Sequence, residues 1–96
     1  MDIRKKIDNN KEVIGVVGLG YVGLPLAVAF AEAELHVIGF DKSQEYVDKI
    51  NQGENYIKDI RDAALKEAIS NEFLKATTDF SKINYCDVLL ICVPTP

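Results

Sequence analysis

Short, unbroken apolar runs alternate with longer stretches of helical period along this chain. Val13-Ile14-Gly15-Val16-Val17 is apolar throughout and bounded by glycine, which predicts a fully buried strand. From about Tyr21 to Glu34 the pattern predicts a helix, apolar on nearly every side until Glu32 and Glu34. Such a helix is wedged against a sheet and another layer rather than laid on a surface. Pro25 falls in its first turn, where a missing N–H costs little. Leu35 to Phe40 is a second strand. Ser43 then caps a second helix, with Tyr46, Val47 and Ile50 as its apolar face and Gly53 as its stop. Residues 54–58 form a loop, and Asp59 to Ser70 a third helix with Ile60, Ala64, Leu65, Ala68 and Ile69 on one side. Leu74 to Thr77 is a short strand, and Asp79 to Ile83 a turn or one helical turn. Asp87 to Val93 is the second strong buried-strand signal, ended by Pro94-Thr95-Pro96. Residues 1–11 are polar and charged and read as a tail, leaving 12–96 as the domain.

Strands alternating with helices imply parallel strands with helices on both faces. The expected fold is α/β, a Rossmann-type doubly wound sheet of about four strands in the order 3-2-1-4, cut short after the fourth.

Composition narrows the class. The chain has 96 residues, 48% of them hydrophobic, enough for one small globular domain with a modest core. A net charge of −4 disfavours sequence-independent nucleic-acid binding, which needs an excess of Lys and Arg. No apolar run is long enough to span a membrane, and the start lacks the apolar core of a signal peptide. A cytoplasmic location follows by default. Cys86 and Cys92 share one predicted strand, roughly 20 Å apart at ~3.3 Å per residue, too far to bridge. They read as reduced, packed thiols.

Against that background Gly18-Leu19-Gly20-Tyr21-Val22-Gly23 changes the picture. Three glycines join the first strand to the first helix, and an acid, Asp41, ends the second strand. Together these form a dinucleotide-binding fingerprint. Gly18 permits the tight turn, Gly20 lets a pyrophosphate approach the backbone, and Gly23 lets the helix pack closely on the sheet. The N–H groups near Tyr21 and Val22 lack intrahelical partners, and the helix dipole favours an anion there. A glycine-rich turn without a ligand needs neither all three glycines nor the acid. Asp41 is placed to accept hydrogen bonds from adenosine ribose hydroxyls, which favours NAD over NADP. Thr95 lies at the end of the fourth strand, near the expected crevice, where a ligand role and plain turn chemistry both remain open. His36, the only histidine, falls at the opposite end of the sheet and reads as a surface or helix-end residue. Tyr46 and Tyr56 read as packing residues. The pattern holds no nucleophile–base pair, no catalytic carboxylate pair and no metal cluster.

These residues resemble the UDP-glucose/GDP-mannose dehydrogenase family. The likeness rests on Gly18 to Ala27, Gly39-Phe40-Asp41, Ile50-Asn51-Gln52-Gly53-Glu54 and Cys92-Val93-Pro94-Thr95-Pro96. Ala76 to Ile83 and Cys86-Asp87 look closest to its UDP-N-acetylglucosamine 6-dehydrogenase branch. The resemblance implies a Rossmann NAD-binding domain and an enzyme of polysaccharide biosynthesis. Such enzymes oxidise the C6 hydroxyl of a UDP-sugar to a carboxylate in two NAD-dependent steps. It implies backbone contacts from Tyr21 and Val22 to the cofactor phosphates, Asp41 on the ribose, and Val93 and Thr95 near the cofactor. The family often carries Arg or Lys five residues after the acid, and here that place holds Tyr46.

The family's catalytic cysteine, its other oxidation residues and its substrate and dimerisation domains lie in later parts of longer chains. These 96 residues are therefore expected to bind NAD and turn nothing over. The UDP-sugar is a partner only of a full-length enzyme. Two alternatives stand: another NAD dehydrogenase of the hydroxyacyl or phosphogluconate kind, and a non-enzymatic nucleotide-sensing module. The Val93-Pro94-Thr95-Pro96 ending argues against the first, and the Tyr-Val-Gly-Leu-Pro helix start against the second. An unpaired fourth strand predicts self-association through the Asp87–Val93 edge.

Overall fold

The computed structural model describes residues 12–58 and 60–92. Among them the elements follow as β1 (Val13–Val17), α1 (Gly23–Glu32), β2 (His36–Phe40), α2 (Gln44–Asn51), α3 (Asp62–Ser70), β3 (Leu74–Thr77) and β4 (Val88–Ile91). A 3-10 turn, Phe80–Tyr85, connects the last two strands. The strands form one parallel sheet in the order β3-β2-β1-β4, as the alternating pattern predicts.

The register sorts side chains onto two faces. Ile14, Val16, Val37, Leu74 and Ala76 point to the first. There they meet Leu24, Ala27, Val28 and Ala31 of α1, Val47 and Ile50 of α2, and Leu65 of α3 in one continuous core. The alanines of α1 let its backbone lie close to the sheet. Full burial of a side chain such as Leu24 or Leu65 contributes ~1.5–3 kcal/mol each.

The second face departs from the expectation of helices on both sides. Val13, Ile38 and Phe40 are buried there under the 3-10 turn, with Phe80 ring-to-ring against Phe40 at 5.8 Å and Ile83 and Cys86 alongside. The cause is the short connection. Residues 78–87 must travel from β3 past β2 and β1 to β4. A crossover containing a full helix needs a dozen residues or more.

β4 was expected to be a buried strand, and it is not. Val88, Leu89 and Ile91 are 46%, 38% and 67% exposed. Among the described residues the strand pairs only with β1, and none of them covers its outer edge. Leu90 and Cys92 pack towards the first-face core. Asp87 fixes the start of the pairing, donating its N–H to the Val13 carbonyl and accepting the Val13 N–H on Oδ2, both at 2.8 Å.

Several boundaries shift for local reasons. α1 starts at Gly23 rather than Tyr21, because the residues before it form the glycine turn. After α1, Glu34 takes a left-handed φ of 63°. Ser43 caps α2 as expected, its hydroxyl accepting the Tyr46 N–H at 3.2 Å. α3 starts at Asp62 because Asn55 holds the preceding turn, binding the Ile60 carbonyl, the Ile57 N–H and the Asp62 carboxylate. Asp59, the expected first residue, lies outside the described residues. His36 sits at the end of the sheet far from the glycines, as expected, but it is buried rather than superficial. The Phe73 ring stacks on it at 5.1 Å as the chain enters β3. Among the described residues, no helix is long and apolar enough to cross a membrane.

Candidate functional site

The glycine turn leaves β1 and is tied at once to β2, where the Gly18 N–H donates to the Phe40 carbonyl at 2.7 Å. The three glycines then differ in kind. Gly18 has φ +92°, and a Cβ there would lie 2.0 Å from the Cys92 carbonyl oxygen. A Cβ on Gly23 would lie 1.6 Å from the Gly18 carbonyl oxygen. Both are demanded by the chain's own packing. A Cβ on Gly20 would meet nothing within 4 Å. Among the described residues nothing requires glycine there, and the space beside it opens into the cleft.

Leu19, between the first two glycines, is fully buried, its side chain seated over Gly39. Its N–H donates to Asp41 Oδ2 at 2.9 Å, and its carbonyl accepts the Tyr56 hydroxyl at 2.6 Å. The middle of the turn is thereby pinned by side chains from two other segments. Beyond it, the N–H groups of Gly20, Tyr21 and Val22 have no acceptor among the described residues. α1 has no side-chain cap and no acid in its first turn, whereas α2 has both Ser43 and Glu45. The positive end of the α1 dipole therefore has no compensating cap or acid in its own first turn.

Asp41 follows β2 and stands half-buried beside this turn. Its Oδ1 accepts the Ser43 N–H at 2.9 Å. Each carboxylate oxygen thus holds one backbone N–H and keeps a lone pair for a further donor. Tyr56 lies under Tyr46, the rings stacked at 4.5 Å and 14°. Burial first, then the Asp41 and Tyr46 charges, push the Tyr56 hydroxyl above the ordinary tyrosine range, so it remains a protonated donor.

These groups surround an open cleft of about 920 Å³ at the ends of β1 and β2. Gly18, Gly20, Tyr21, Val22, Gly23 and Asp41, all predicted as site residues, line it together. Tyr21 and Val22 are exposed at its mouth. Val93 and Thr95, also predicted, lie outside the described residues; Cys92, just before them, forms part of the wall. Tyr46 lines the cleft too, instead of joining Val47 and Ile50 in the core. The sequence reading missed Leu19 and the hydroxyl of Tyr56. Leu19 carried a usable signal, an apolar side chain between two glycines that has to go inward. Tyr56 carried none.

Unpartnered N–H groups at a helix start, a glycine open to the cleft and a carboxylate at the end of the neighbouring strand suit the pyrophosphate and ribose of a dinucleotide. The fold and the cleft together define a Rossmann-type dinucleotide-binding domain. Over residues 12–96 the chain matches the NAD binding domain of the UDP-glucose/GDP-mannose dehydrogenase family, and it belongs to that family. NAD is the cofactor of this domain.

The chain is 43% identical over 93 residues to the NDP-N-acetyl-D-galactosaminuronic acid dehydrogenase of Ralstonia nicotianae, covering 96% of this chain and 21% of the relative. It is 46% identical over 84 residues to the UDP-N-acetyl-D-mannosamine dehydrogenase of Escherichia coli, covering 86% and 19%. The crystal structure of a GDP-mannose dehydrogenase ternary complex from Pseudomonas aeruginosa superposes with a TM-score of 0.80 at 39% identity, covering 86% and 20%. The chain thus spans about a fifth of the length of the curated relatives it matches. An (S)-3-hydroxybutyryl-CoA dehydrogenase from Ralstonia eutropha superposes with a TM-score of 0.64 at 19% identity, covering 90% and 32%, a likeness of fold alone.

Proposed function

We propose that residues 12–96 form the NAD-binding part of a nucleotide-sugar 6-dehydrogenase, with residues 1–11 as a tail. The enzyme would oxidise the C6 hydroxyl of a UDP-sugar, of UDP-N-acetylglucosamine or UDP-glucose type, to a carboxylate. Relatives named for N-acetylated sugars support the N-acetylhexosamine side of that choice. The observation that carries the cofactor assignment is Gly20, the one glycine of the turn that packing among the described residues does not require.

In this reading the Gly20, Tyr21 and Val22 amides and the α1 dipole hold the pyrophosphate. Asp41 accepts the ribose hydroxyls and repels a 2′-phosphate. Val93 and Thr95 border the cofactor. Bound in the cleft, NAD supplies the hydride acceptor. The 96 residues alone bind it without oxidising sugar, since they span only a fifth of the relatives. We also assign the protein to the cytoplasm, where its two free thiols suit a reducing compartment. The bare β4 edge leads copies of this chain to associate.

Calorimetry with the two dinucleotides tests the assignment. NAD should bind, and NADP at least about tenfold more weakly, the effect of ~1.4 kcal/mol of charge repulsion. Equal affinities would remove Asp41 from its role, and no NAD binding would remove the reading as a whole.

A further inference from the structure

Resting on that cofactor reading, we propose that Tyr56 is a positioning residue that aims the Gly20 amide into the cleft for the ligand's pyrophosphate. A trans peptide is planar, with its C=O and N–H pointing in opposite directions. Leu19 and Gly20 share one such plane, and the described backbone contains no cis bond. The Tyr56 hydroxyl grips the Leu19 carbonyl at 2.6 Å. That turns the carbonyl towards the loop after α2, and the Gly20 N–H on the same plane faces the other way. This N–H has no acceptor within the described residues, and open space adjoins Gly20.

No other described contact fixes this plane from the carbonyl side. The bond from the Leu19 N–H to Asp41 belongs to the preceding peptide, Gly18–Leu19. Without the hydroxyl, rotation of the Leu19–Gly20 plane would swing a carbonyl oxygen towards the place where an anion needs a donor. Tyr56 is suited to the task. Its ring is held by the stack on Tyr46, and the next residue, Ile57, is buried in the core. The hydroxyl is protonated at neutral pH, as any tyrosine's is, and burial only extends that range upwards.

Tyr56→Phe keeps the stacked ring and removes only the donor. Calorimetry on the chain should then use two probes, ADP-ribose, which contains the pyrophosphate, and adenosine, which lacks it. ADP-ribose affinity should fall about five- to tenfold, the net worth of one hydrogen bond, while adenosine affinity stays within about twofold. Equal losses for both probes would mean a general loosening of the site and overturn the proposal, as would no loss for either. Amide NMR of the ligand-free chain supplies an independent readout. In Tyr56→Phe the Gly20 signal should split or broaden while the Val37 and Leu74 amides keep their positions. An unchanged Gly20 signal overturns the proposal even if the parent chain binds neither probe. Failure of the parent chain to bind ADP-ribose counts instead against the cofactor reading.

Discussion

Among the described residues the glycine turn and the β4 edge both present backbone groups without partners, but of opposite kinds. At the turn, the Gly20, Tyr21 and Val22 N–H groups lie beside a half-buried carboxylate, with the Leu19 carbonyl held by Tyr56 and those of Gly20 and Val22 bonded into α1. Along β4 donors and acceptors alternate over four residues, flanked by exposed Val88, Leu89 and Ile91. Converging donors complement a small anion, whereas alternating groups with apolar neighbours complement another strand. The two places therefore differ in the chemistry they offer, and a change made at one should be silent at the other.

Glycine replacements offer the largest test of that separation. Gly23→Ala drives a Cβ into the Gly18 carbonyl and should cost roughly 3–5 kcal/mol in urea unfolding. Gly20→Ala should leave the unfolding midpoint nearly unchanged and yet weaken NAD binding at least about tenfold, because its methyl enters the cleft. Equal destabilisation by the two would erase the distinction between packing glycine and ligand glycine. Asp41→Ala comes next, with a loss of about 1–3 kcal/mol in NAD affinity, the range for hydrogen bonds to a charged group. An unchanged affinity would detach the acid from the site. The smallest effect on stability belongs to Ile91→Lys. Its 67% exposure predicts a change within about 0.5 kcal/mol. Light scattering should nonetheless show weaker self-association, with NAD binding untouched. A parent chain that is already monomeric at high concentration would show that the edge is not adhesive.

The sheet order was legible because β1 is a short apolar run and the strands alternate with helical segments along the chain. The covering of the second face was not, since it turns on how far residues 78–87 must travel, and that is a matter of geometry rather than of apolar period. The apolarity of Val88–Ile91 records that these side chains suit a covered place, but carries nothing about which segment covers them. At the site, the fingerprint located the turn and the acid but treated its glycines alike; only their neighbours separate Gly20 from Gly18 and Gly23. Tyr56 reaches Leu19 across 37 positions from a loop with no periodicity, which no local pattern encodes. Tyr46 sits where helical period predicts packing, and it turns instead to meet Tyr56.

The two bonds between Val13 and Asp87 also set a schedule. They close a separation of 74 residues, and they hold together the first and the fourth of the described strands. At a synthesis rate of ~5–20 residues per second, about 4–15 s pass between the two on the ribosome. β2 is made early in that interval and can occupy one side of β1, while the other side waits for Asp87 to emerge. Of the four described strands, β1 is thus made first and is the last to gain its second neighbour.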